Sequence, residues 1–164
     1  MTIICGVDEA GRGPLIGPLV VAGVAIDEKD LPKLLALNPK DSKLLSPKQR
    51  DELFPKIKEI TKYKIFIIPP QEIDDALNSP TLNLNWLEAI KYAMTINYLK
   101  ADTAYVDCPS NNNTAFKDYM ENLMKQPTKL IVENKADDTY PIVSAASILA
   151  KVTRDAEVKK LREK

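Results

Sequence analysis

From residue 63 onward, short apolar runs alternate with longer stretches of helical character. The runs are 63–68 (YKIFII), 103–107 (TAYVD) and 129–133 (KLIVE), each rich in β-branched or aromatic residues. Between them, Leu84, Leu87, Ile90, Met94 and Tyr98 recur at helical spacing, which predicts a helix over 83–99 with one apolar stripe. Segments 71–78 and 115–124 read as further helices, and Pro141 opens a last long one to about residue 162. Strands separated by helices need crossover connections, so this order favours parallel pairing and an α/β class. Two more buried strands come first, 3–7 (IICGV) and 19–26 (LVVAGVAI), and with 63–68 they can form a meander. Helices over 30–37 and 47–61 are inserted before 63–68, the second capped by Ser46 with Pro47 in its first turn.

Acids fall where such a sheet puts its chemistry. Asp8 ends the first strand, Asp107 ends the fourth, and Asp137 lies just after the fifth in "ENKADDTYP". If those three strands run parallel, all three aspartates arrive at one edge, beyond the carboxyl ends of the strands. Glu9 adds a fourth carboxylate. Side chains alternate faces along a strand, so Asp8 and Glu9 share a site only if the strand ends or bends at Asp8. The following Ala10 and Gly11 suit such a break. Gathered carboxylates stay ionised together only beside cations, and hard oxygen ligands suit Mg²⁺ or Mn²⁺.

Composition narrows the chemistry further. There are no histidines. That excludes serine–histidine and cysteine–histidine catalysis and histidine metal sites, and leaves acids, lysines, hydroxyls or a metal to act. Cys5 and Cys108 form neither a disulfide framework nor a zinc spacing, which points to a reducing, cytoplasmic setting. No apolar stretch is long enough for a membrane span, and the N-terminus does not resemble a signal peptide. Formal net charge is zero but unevenly spread: residues 40–64 hold eight Lys/Arg against four Asp/Glu, and residues 65–124 hold three against eight. Two readings fit, solvated helix faces or basic segments around an acidic metal site on a nucleic-acid enzyme. No linker or repeat divides the 164 residues, so one domain over 1–164 is expected.

Three blocks are more specific than any of these patterns. "GVDEAGRGPLIGPLVVAGV", "KDSKLLSPKQRDELF" and "KADDTYPIVSAASILAKVTRD" resemble, in order, the signature blocks of ribonuclease HII in its archaeal form. The resemblance covers essentially the whole chain. It implies the ribonuclease H-like fold, a five-stranded mixed sheet flanked by helices. It implies a metal-dependent endonuclease that cuts the RNA strand of RNA–DNA hybrids, and cuts 5′ of ribonucleotides embedded in duplex DNA, leaving a 3′-hydroxyl and a 5′-phosphate. The family's four acidic metal ligands carry over to Asp8, Glu9, Asp107 and Asp137, holding Mg²⁺ or Mn²⁺ as two ions with substrate bound. Its glycine–arginine–glycine element carries over to Gly11, Arg12 and Gly13, where backbone groups read the ribose 2′-hydroxyl. Glycine permits that close approach, and Arg12 can grip a phosphate. Lys43 resembles the family's phosphate-contacting lysine, with Ser42 beside it. Lys151 and Arg154 either face the substrate backbone or are plainly solvated. Ser144 and Ser147 suit close packing of the last helix on the sheet. The expected partner is an RNA–DNA hybrid or ribonucleotide-containing DNA, met by a monomer and without a membrane.

The family pattern continues with further helices and a tyrosine that helps recognise the junction. None of the six tyrosines here matches that block. Three functions therefore compete: the nuclease itself, a catalytically weak or inactive RNA–DNA-binding module of the same fold, and a nucleotide-dependent phosphotransferase with "GRGPLIG" as a phosphate loop. The last lacks the lysine–serine/threonine ending such a loop needs.

Overall fold

The computed structural model describes residues 1–12, 17–39 and 42–163. Five strands, β1 (Ile3–Ala10), β2 (Leu19–Asp27), β3 (Lys62–Ile68), β4 (Thr103–Asp107) and β5 (Lys129–Glu133), form one sheet in the order β3-β2-β1-β4-β5. β1, β2 and β3 are the expected antiparallel meander, and β4 and β5 run parallel to β1. The helices are α1 (Leu31–Ala36), α2 (Pro47–Ile60), α3 (Pro70–Leu77), α4 (Leu84–Leu99), α5 (Asn113–Glu121), α6 (Ala136–Thr139) and α7 (Pro141–Arg162), with 3₁₀ turns at Glu28–Asp30 and Ser42–Leu44.

The sheet is covered on both faces, which explains why β2 reads as an unbroken apolar run with every residue from Leu19 to Ile26 buried. On one face Cys5, Val7, Val21, Ala104 and Val106 pack against α4 and α5. On the other, Ile4, Val20, Ala22 and Val24 pack against α7, with α1 and α2 outside them. The α7 contact is close enough to require small residues on both sides. A Cβ on Gly6 would stand 2.5 Å from the backbone carbonyl carbon of Ile142, and Ser144, Ala145, Ala146 and Ser147 are completely buried. The Ser144 hydroxyl donates to the Pro39 carbonyl.

Local signals set most element ends. Ser46 and Gln49 form a reciprocal capping box at α2. Asn83 caps α4 and Asn112 caps α5. Two expectations need correction. β1 neither ends nor bends at Asp8: Asp8, Glu9 and Ala10 stay in register with Ala22, Val21 and Val20 of β2. The α4 stripe is also rotated. Met94 and Tyr98 are exposed, and the buried residues are Leu87, Glu88, Ala89, Tyr92, Ala93, Thr95, Ile96 and Leu99. α4 is apolar around most of its circumference, so periodicity alone offers more than one stripe. Packing selects the one whose Thr95 fits over Gly23 of β2.

Candidate active site

Strand alternation fixes which acids meet. Asp8 shares its face with Ile4 and Gly6, the α7 side, and Asp107 ends β4 beside it. The third acid comes from the turn after β5, where Lys135 takes a left-handed conformation and the short α6 carries Asp137 inward. That turn is tied to the end of β4 by Asn134, whose amide donates to the carbonyls of Cys108 (3.0 Å) and Ser110 (2.8 Å). One carboxylate oxygen from each of Asp8, Asp107 and Asp137 lies within 4.8 Å of the others. Asp8 and Asp137 are buried. Oδ1 of Asp137 is buried with no hydrogen-bond partner among the described residues. A buried oxygen without a donor, beside two more carboxylates, fits a hard divalent cation.

Because β1 stays regular, Glu9 points to the opposite face. It receives the phenol of Tyr92 from α4, and that same hydroxyl lies 3.1 Å from the Asp107 carbonyl oxygen. Glu9 is therefore not one of the three clustered acids, although it stands at the same edge. Its charge is felt there. Burial, then Glu9, pushes the Asp107 carboxyl up to about 7, with Asp137 adding to the rise. Asp8 is raised well above the carboxylate range by burial, then by Glu9 and Asp107, although the Glu9 N–H donates to its Oδ1 at 2.7 Å. Without a cation, this edge holds carboxylates that resist ionising together.

The glycine–arginine turn leaves β1 next to these acids. Gly11 adopts φ 98°, a conformation that favours glycine. The Arg12 guanidinium is engaged on both arms by α4: Nη1 donates to Glu88 Oε1 at 2.7 Å and Nη2 to Asn85 Oδ1 at 2.8 Å. Arg12 thus holds the turn against α4 instead of pointing free for a phosphate. Glu88 is completely buried. Burial, then Glu9, lifts its carboxyl to about 8 against the lowering effect of Arg12.

This arrangement has close counterparts. The ribonuclease HII family model matches residues 5–164. A ribonuclease HII of Pyrococcus furiosus is 47% identical over 163 residues, covering 98% of this chain and 71% of that protein. The chain belongs to the ribonuclease HII family. The solved structure of a ribonuclease H2 from Pyrococcus horikoshii matches with a TM-score of 0.90 at 43% identity, over 99% of this chain and 77% of that one. Ribonuclease HII of Archaeoglobus fulgidus, solved in a complex with PCNA, matches with a TM-score of 0.89 at 39% identity, over 98% of this chain and 75% of that one. The five-stranded mixed sheet is the fold of these ribonucleases H, and the family's name gives the class of reaction, hydrolysis of RNA.

The remaining candidates of this family member fall around the acids. Lys43 reaches them from the 3₁₀ turn, with Nζ 3.5 Å from Asp137 Oδ2 and 3.4 Å from Asp138 Oδ1. Desolvation opposes its charge, but the two aspartates outweigh it and raise its proton affinity. Lys151 is partly buried on α7. Desolvation lowers its proton affinity, while the charges of Asp8 and Asp137 act in the opposite sense. Arg154, one turn further along, is turned inward: its Nε donates to the Pro18 carbonyl at 3.1 Å, and its side chain fills the space a Cβ on Gly11 would need. Gly13 and the side chain of Ser42 lie outside the described residues. Sequence reading missed Asn85, Glu88 and Tyr92, all on one α4 stripe. A lone glutamate within an apolar helix was the signal for Glu88, and the misplaced stripe hid it.

Proposed function

We propose that this protein is a metal-dependent endonuclease that hydrolyses the RNA strand of RNA–DNA hybrids and cuts 5′ of ribonucleotides embedded in duplex DNA, leaving a 3′-hydroxyl and a 5′-phosphate. The observation that carries this is the convergence of Asp8, Asp107 and Asp137 at one strand edge, with a buried Asp137 oxygen lacking any donor. In this reading Asp8, Asp107 and Asp137 would hold Mg²⁺ or Mn²⁺, two ions with substrate present, with Glu9 as the fourth acid of the set. The bound metal supplies Lewis-acid stabilisation of the phosphodiester and activation of the attacking water, so no histidine is needed.

The protein's own groups do the rest. Tyr92 donates to Glu9 and keeps that carboxylate at the edge. Lys43, half exposed and paired with Asp137 and Asp138, has an ammonium that a substrate phosphate can reach beside the acids. Lys151 adds a positive charge that Asp8 and Asp137 feel. The glycine–arginine–glycine element is the ribose reader in this proposal, and glycine at position 11 lets the backbone come close enough to a sugar to read its 2′-hydroxyl, the group that distinguishes ribose. Among the described residues no helix is long and apolar enough to cross a membrane. Two free, buried cysteines support a reducing cytoplasm as the setting, with the protein acting as a monomer.

The decisive assay incubates the purified protein with Mg²⁺ or Mn²⁺ and a DNA duplex carrying one ribonucleotide. Cleavage on its 5′ side, absent with EDTA and on the all-DNA duplex, is the expected result. Binding without cleavage under both metals would show a binding module instead.

A further inference from the structure

One stripe of α4 touches both halves of the site. Asn85, Glu88 and Tyr92 are spaced i, i+3 and i+7, so they share a helix face. Tyr92 donates to Glu9 beside the metal ligands, while Glu88 and Asn85 take the two arms of Arg12 in the glycine–arginine turn. The stripe is laid against the sheet by Tyr92, Ile96 and Leu99, all buried. Glu88 is fully buried, and a carboxylate there is tolerated only with a partner. A planar guanidinium gripped on both arms has its orientation fixed as well as its position. The turn is held from the opposite face too, since Arg154 of α7 fills the space over Gly11 and donates to Pro18. Arg12 is therefore committed to the protein, and Gly11, its immediate neighbour, is held between α4, acting through Arg12, and Arg154 of α7.

We propose that Glu88 is a positioning residue: acting through Arg12, it fixes the turn at Gly11 and so sets how well the enzyme distinguishes ribose from deoxyribose. This rests on the reading of that turn as the ribose reader, given under the proposed function. The inference departs from a phosphate-gripping role for Arg12. A phosphate grip would act on every duplex alike, whereas a positioned turn matters only where a 2′-hydroxyl is present.

The test reads both effects in one Mg²⁺ reaction. KM is measured on a duplex with a single ribonucleotide, and Ki for the all-DNA duplex as competitor. Truncating Glu88 alone strands Arg12 beside a hole and can unfold the protein, so the principal variant is the paired apolar replacement R12M/E88L, which leaves no unpartnered charge. It is expected to fold, to raise KM about tenfold and to leave Ki within about twofold. E88Q keeps the acceptor for Arg12 and is expected to recover most of the discrimination lost in E88A. N85A, which removes one arm only, should fall between. An unchanged Ki/KM ratio in folded R12M/E88L overturns the inference, and KM and Ki weakening together would mark Arg12 as a general phosphate contact. A wild-type protein that binds both duplexes equally well would remove the functional reading itself and this inference with it. Discrimination in the wild type that survives in R12M/E88L removes the inference alone.

Discussion

Asp8, Asp107 and Asp137 crowd oxygens that repel one another, and at the level of single residues that repulsion is testable. Asp8→Asn removes one buried charge while keeping the shape of the side chain. Cleavage is expected to fall by about a thousandfold or more, because a ligand of the metal is lost. The metal-free melting temperature at neutral pH should stay level or rise, because Asp8 ionises against burial and against its neighbours. A variant that melts well below wild type would mean that Asp8 contributes to the fold. Gly11 offers the complementary case. A Cβ there would stand 2.6 Å from the Pro18 carbonyl oxygen and run into Arg154, at a φ of 98°. Gly11→Ala should therefore displace the turn and raise KM on the ribonucleotide-bearing duplex, with stability lowered by about 1–2 kcal/mol in a urea melt. The residue scale also separates the expected partner of Arg12 from its observed ones. Between two glycines, a lone arginine near an acidic site has phosphate as its obvious partner. Its actual partners, Glu88 and Asn85, lie more than seventy positions away in sequence.

The elements explain how such distant residues meet. β1 is central in the sheet, with β2 and β4 on either side, so its last residues stay in register and Asp8 and Glu9 face opposite layers. The acid pair is then split between two helices: Asp8 lies on the α7 side, and Glu9 is held by α4. The approach of α7 to β1 depends on Gly6 and on the buried small residues at 144–147. Gly6→Ala is expected to push Ile142 away and cost about 3 kcal/mol, read as a fall in the urea midpoint with little change in slope. Because α7 also carries Lys151 and Arg154, activity should fall further than the remaining folded fraction accounts for. Most element boundaries were readable, since Ser46, Asn83 and Asn112 cap helices by chemistry local to them. The face of α4 was not readable. It is set by which side chains fit over Gly23 and beside Tyr92, a matter of the opposing surface and not of the helix.

Across the whole molecule the acids couple stability to pH and to metal. The folded protein raises the carboxyls of Asp107 to about 7 and of Glu88 to about 8, against ordinary values of 3.8 and 4.5. Asp8 shifts in the same direction. A folded state that holds protons more tightly than the unfolded chain is favoured at low pH. The contribution is complete below about pH 4 and is lost as pH rises through 7 and 8. The metal-free melting temperature should therefore fall between about pH 5 and pH 8, and Mg²⁺ or Mn²⁺ should restore it mainly at the upper end, where cations no longer compete with protons for the same oxygens. A melting temperature that is flat in pH and insensitive to metal would count against the centre. By itself the sequence determined the succession of strands and helices along the chain, the α/β class, the family, and the placing of Asp8, Asp107 and Asp137 at or just after strand ends. Those follow from periodicity, capping and motif, which are written locally. Only the tertiary structure decided that β1 runs straight through Glu9, that Glu9 belongs to Tyr92, and that Arg12 belongs to Glu88. Those are pairings between residues distant in sequence, fixed by register and by the packing of helices on a sheet, and no local pattern encodes them.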